Sequence, residues 1–347
     1  MQAPKTLHDF FAQSHTRYRV YDMGRGIRKV PREQFEQFEL GNTPWPWPLQ
    51  QQAWLALLAW NEQDRDEHFI WFLKFPLDEN GLLIQATRDN FMGSLLHSIG
   101  HNLQASREGG QLQDGMSQSP YGFKPKESSM AAFHAIAAQA MDQAPSRFLA
   151  HAQDYLDGGP GYDQWAFVGI QGLADVVARL DQDANQARLL KALPQLPAPA
   201  LIAICGLLEN IPLSTVLAEA LDQRLHRELQ HPEADIQVVA ALLRAFAQSP
   251  ASGMRETLIH ELLQGPHARQ IEILAAIAAR NWEVLQNPEL ARLFVEALAD
   301  NPLGQDAFNQ IMADLLYLPG MRASLLSQLR DPARSETLSR AVAGLFG

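Results

Sequence analysis

Leu196-Pro197-Ala198-Pro199-Ala200-Leu201-Ile202-Ala203-Ile204-Cys205-Gly206-Leu207-Leu208 joins a proline to an apolar helical pattern. The same arrangement returns at Pro232, Pro266, Pro302 and Pro332, at spacings of 35, 34, 36 and 30 residues. A fixed period in this range marks stacked helical hairpins, in which each repeat buries its apolar face against its neighbours. Proline at the first helical position is preorganised and forfeits no needed N–H, which explains its recurrence. The pattern predicts helix pairs at 198–210 with 213–230, 233–248 with 253–264, 267–280 with 289–300, and 303–317 with 320–330. A last helix at 333–346 closes the chain as a cap. Expected core positions are Ile202, Leu207, Val239, Leu242, Ile273, Ile277, Ile311, Leu315 and Val342.

Working toward the N-terminus, 163–180 with 184–193 reads as the first regular pair, and 130–141 and 145–156 as two further helices. Residues 104–127 lose all periodicity and read as a flexible connector. The first hundred residues are of another kind. Thr6 caps a short helix to Gln13, and 18–21 and 27–30 form a hairpin across Met23-Gly24-Arg25-Gly26. Pro31 opens a helix to Leu40. Thr43-Pro44-Trp45-Pro46-Trp47-Pro48 reads as an extended loop in which a Trp-Pro bond is a candidate for cis. The run 69–75 is a strand; 53–60 is a strand or a buried helix, since periodicity does not arbitrate. A strand at 82–86 and a helix at 89–101 follow. The fold class expected is α+β: a small N-terminal α+β module (1–103), the connector (104–127), then an all-α array with a C-terminal cap (128–347).

Composition narrows the function. At 347 residues and a net charge of −11, residues 1–110 hold 11 basic and 13 acidic side chains, and residues 111–347 hold 17 and 26. The acidic array disfavours a broad nucleic-acid surface there. No apolar run is long enough to span a membrane, no secretory signal is visible, and the single cysteine, Cys205, sits in an apolar run as a buried hydrophobe. A reducing cytoplasm is the expected compartment.

No phosphate loop, nucleophile elbow or Cys-x-x-Cys occurs. Gly24-x-Gly26 lacks the third glycine of a dinucleotide site, and basic neighbours suit Asp22 to an ion pair rather than a general base. His97 and His101 stand four apart on a helix, as a metal pair can, but no third ligand is placed, and a helix end that welcomes histidines is the favoured reading. Trp54, Trp60 and Trp71 fit an aromatic core better than a ligand-binding floor. The most distinctive surface is basic: Arg17, Arg19, Arg25, Arg28, Lys29 and Arg32 with Asp22 the one acid among them, followed by Trp45 and Trp47. Arg25, Arg28, Lys29, Arg32, Trp45 and Trp47 are the candidate binding residues, because arginines with aromatics anchor interfaces and also stack nucleotides. A hairpin that merely docks against the acidic array is the alternative.

The segments Tyr21-Asp22-Met23-Gly24-Arg25, 44–54 and 70–79 resemble a family of uncharacterised proteobacterial proteins of about this length, which carries no assigned activity. The C-terminal part is similar to HEAT-like helical repeats, an architectural likeness that implies no single function. Two readings follow: a cytoplasmic adaptor or regulatory scaffold that binds another protein without catalysis, cofactor or metal, or an enzyme or nucleotide/RNA binder with a site between module and array.

Overall fold

The computed structural model describes residues 4–14, 16–61, 68–105, 119–182 and 184–346, with the backbone alone over 98–105 and at 346. The chain is α+β. It divides into two compact units, Met1–Pro125 with Tyr317–Pro319, and Lys126–Leu316 with Gly320–Gly347.

In the first unit, α1 (Leu7–Gln13) starts where the Thr6 hydroxyl accepts the Asp9 N–H at 3.0 Å. Strand β1 (Thr16–Asp22) turns back as the three-residue β2 (Arg28–Val30), and Pro31 begins α2 (Arg32–Glu39). Strands β3 (Gln52–Asn61) and β4 (His68–Pro76) and helix α3 (Gln85–Ala105) follow. All pairings are antiparallel, in the order β2-β1-β3-β4. The continuous apolar run of β3 is a strand because both faces are covered, which removes the polar alternation a half-buried strand would show. One face sets Ala53, Leu55, Leu57 and Ala59 with Val20, Trp71, Leu73 and Phe75 under Leu7, Phe11, Phe35, Phe38 and Phe91. On the other face Ala56 and Leu58 are fully buried, and Trp54 meets Phe123 edge-on at 4.9 Å. Phe123 arrives on a short segment that extends the sheet past β4: Lys74 donates to the Tyr121 carbonyl and Phe123 to the Phe72 carbonyl.

Two expectations fail here. The strand at 82–86 reduces to a single bridge, Leu77 to Leu83, and α3 already begins at Gln85. The Asp78 carboxylate accepts the N–H groups of Asn80 and Leu82 at 2.9 Å each, closing a turn that leaves too little chain for a strand. No cis peptide occurs among the described residues, so the described Trp-Pro bonds are trans. Most of the connector expected at 104–127 lies outside the described residues.

The second unit is helical. Its helices are α4 (Glu127–Ala140), α5 (Leu149–Asp157), α6 (Ile170–Ala178), α7 (Asn185–Ala192), α8 (Ala198–Leu208), α9 (Thr215–Leu229), α10 (Ile236–Ala245), α11 (Ser252–Gln264), α12 (Ile271–Arg280), α13 (Pro288–Ala299), α14 (Gln305–Leu316), α15 (Met321–Leu329) and α16 (Glu336–Phe346). Helices two apart pack together: α4 on α6, then α8, α10, α12, α14 and α16 in turn, while α5 packs on α7 and α11 on α13 on α15. At the end of α8, Glu209 receives Arg280 at 2.9 Å and Arg244 at 3.3 Å. These three residues stand 35 and 36 apart, so the sequence period is carried into a polar tie across α8, α10 and α12.

The prolines act differently from the reading given above. Pro197 does cap α8, with Pro199 in its first turn. Pro232, Pro266, Pro302 and Pro332 lie in turns three to five residues before their helices. There proline presets the turn. After Pro232 a side chain starts the helix, the Asp235 carboxylate accepting from Gln237 at 2.9 Å and Val238 at 3.4 Å, whereas α12, after Pro266, starts at Gln270 without a side-chain cap. The stretch 163–180 is also not one helix; a 3₁₀ turn (Tyr162–Phe167) precedes α6. Among the expected core positions, Leu207, Val239, Leu242, Ile273, Ile277 and Leu315 are buried, whereas Ile202, Ile311 and Val342 are half-buried. Each of the three flanks its helix's buried stripe, as Ile202 does beside Leu201, Ile204, Cys205 and Leu208.

Candidate functional site

The basic segment does two separate jobs. Asp22, at the end of β1, is fully buried and accepts the Arg25 N–H at 2.9 Å and the Trp45 indole N–H at 3.0 Å. Arg25 and Trp45 are themselves wholly inside. The Arg25 guanidinium donates to the Pro48 carbonyl at 2.7 Å, and Trp45 packs edge-on against Phe38 at 4.9 Å. These two candidate binding residues therefore lock the β1–β2 turn to the proline-rich loop and present no surface to a partner. Arg28, half-buried, lies over the Trp47 ring at 5.5 Å. That contact clasps the loop from outside.

Lys29 and Arg32, the remaining two, open onto a cavity of about 600 Å³ in the first unit. Arg17, Tyr18, Arg19, Phe11, Trp60, Pro31 and Val30 are also in its lining. Strand parity explains the grouping. Arg17 pairs with Trp60, Arg19 with Leu58 and Tyr21 with Lys29, so Arg17, Arg19, Lys29 and Trp60 share one face of the sheet. Arg19 lies over the Trp60 ring at 5.4 Å. Tyr18 points to the other face, under the Arg32 guanidinium at 5.6 Å, and its hydroxyl meets His8 Nδ1 at 2.9 Å. Glu36 ties Arg32 at 2.9 Å and reaches His8 at 3.2 Å. Burial pushes the Tyr18 phenol well up, so it stays protonated. Among the described residues, four cations line the recess and no carboxylate does.

Arg17, Arg19, Tyr18 and Trp60 were not among the candidate binding residues, although cations at alternate positions of a strand were visible in the sequence. The parity also dissolves the shared tryptophan floor. Trp71 pairs with Leu57 and joins the core under the helices, opposite Trp54 and Trp60.

Glu39, the last residue of α2, is buried and accepts the N–H groups of Leu7 at 2.7 Å and His8 at 3.1 Å, closing the start of α1. Burial raises its pKa from 4.5 to about 7, against the lowering pull of those two N–H groups. The folded chain thus holds this proton to higher pH than the unfolded chain does. Stability from this group is fully present below pH 4.5 and falls as pH rises to about 7, by on the order of 3 kcal/mol. We expect urea midpoints to drop between pH 5 and pH 8 and Glu39→Gln to flatten that drop; an equal drop in the variant contradicts the assignment.

Other chemistry is sparse. Cys205 is fully buried and its thiol is pushed up to about 12 by burial, which makes it inert. His97 is exposed, the side chain of His101 lies outside the described residues, and among those described no three His, Cys, Asp or Glu side chains group to hold a metal. Among the described residues no helix is long and apolar enough to cross a membrane.

A family model described as a protein of unknown function, DUF3549, matches residues 2–346. No curated protein and no solved structure matches the chain.

Proposed function

The chain belongs to the DUF3549 family, which carries no assigned activity, and we propose from its own geometry that it is a cytoplasmic, non-catalytic adaptor or scaffold that binds another protein. The observation that carries this reading is the recess lined by Arg17, Arg19, Lys29 and Arg32 with Tyr18 and Trp60. Arginine and aromatic side chains are those that anchor protein interfaces, and a recess with four cations among its described lining steers a complementary partner toward it. The helical unit, read as a HEAT-like array, supplies a second extended surface. The second reading, a nucleotide or RNA ligand, draws on the Arg19 guanidinium over Trp60, an arrangement that also receives a base.

Capture from lysate with tagged full chain, followed by mass spectrometry, tests the proposal. Wild type should enrich a defined partner that the Arg17→Glu/Lys29→Glu variant loses at unchanged melting temperature. No enrichment, or enrichment indifferent to the double reversal, overturns it.

A further inference from the structure

The cavity lies along a strand edge, and that edge says how a partner is held. β2 pairs with Val20, Tyr21 and Asp22 alone, because Pro31 ends it and turns the chain into α2. β1 continues through 16–19 with β3 on one side and, among the described residues, no strand on the other. Met23 donates to the Trp54 carbonyl at 2.8 Å. By the alternation of an antiparallel ladder, the amide groups of Tyr21, Arg19 and Arg17 then face β3, and those of Val20 and Asp22 face β2. The N–H and C=O of Tyr18 and Thr16 face the open edge. Four residues of strand give a run of about 13 Å, and the cavity occupies that run.

We propose that an extended, acidic segment of a partner protein binds here as an added strand, in line with β2 and pairing with the main chain of Tyr18 and Thr16. This deepens the adaptor reading and rests on it. Side chains of an added strand alternate between faces. One set meets Arg17, Arg19 and Lys29, so it is acidic; the other meets the half-buried Tyr18, so it is apolar or aromatic, with Arg32 at its end. Main-chain bonds then supply affinity and the alternating side chains supply selectivity. Cations and a proline at an edge also serve to repel unwanted strands. A guard of that kind needs no recess, whereas this edge is flanked by a cavity large enough for a short peptide.

The test uses the full chain and a labelled peptide, Glu-Val-Glu-Val-Asp-Tyr-Glu, read by fluorescence anisotropy. Its companions are the same peptide N-methylated at alternate amides, a lysine-for-glutamate version, ADP and a poly-uridine oligomer. The parent peptide should bind and protect the Tyr18 and Thr16 amides from hydrogen exchange. Binding should weaken at least tenfold on N-methylation in one of the two alternate registers, at least tenfold with Lys29→Glu, and vanish for the lysine peptide. Equal binding of both N-methylated registers, without amide protection, overturns strand addition while leaving a charge-held protein partner intact. Binding of ADP or poly-uridine but no peptide overturns both this proposal and the adaptor reading. Self-association of the chain that Lys29→Glu abolishes would place a second copy in the groove and overturn the proposal as well.

Discussion

Leu242→Asp should unfold the helical unit. Leu242 is fully buried in α10, which packs on α8 and on α12. The substitution removes an apolar side chain from between neighbouring helices and leaves a carboxylate where no partner stands ready, at a cost of several kcal/mol. Against a typical total of about 5–15 kcal/mol, that is most of the stability available. Ionised Asp is the stronger insult, so part of the loss should return at low pH as the carboxyl protonates. Chemical denaturation followed by circular dichroism measures it, and a midpoint equal to wild type would remove Leu242 from the core. Because each helix leans on those two places away, the loss should spread along the unit rather than stay in one pair.

Asp22→Ala should do the same to the first unit. The carboxylate is the common acceptor for the Arg25 amide and the Trp45 indole, and all three residues are fully buried. Two charge-assisted bonds disappear and two donors are left in a site that water does not reach, so we expect a loss of about 3–5 kcal/mol. Asp22→Asn keeps one acceptor and should lose less. Urea unfolding followed by tryptophan fluorescence reads this directly, since Trp45 is in the network. A pair of variants with wild-type midpoints would contradict the hub.

The helices of the second unit were legible because each depends on local pattern and on a neighbour about 35 residues away. Their ends were less so. Pro232 and Pro266 look like helix starts in sequence, yet both sit in turns several residues before their helices, and after Pro232 the Asp235 cap sets the boundary. Strands β1 and β4 were readable from their alternation and aromatic content. Leu82 and Leu83 misled because a short apolar stretch cannot show that Asp78 has already closed a turn around it. For the site, the sequence displayed a basic cluster but gave no depth. Arg25 and Arg32 look alike in one dimension, and only the pairing of Asp22 with Trp45, 23 residues away, takes Arg25 into the core. In sequence Pro31 reads only as the start of a helix, although it also stops β2 early. The open edge appeared only once β1 was seen to run further, to Thr16.

The groove's complementarity to an acidic partner is tested most directly by a charge swap on a captured partner, measured by titration calorimetry on full-length chains. Lys29→Glu with Arg17→Glu should abolish binding, and replacing the partner's acidic residues by lysine should restore it to within tenfold of wild type. Binding that survives the first change, or that the second fails to restore, would contradict a partner held in this groove by charge.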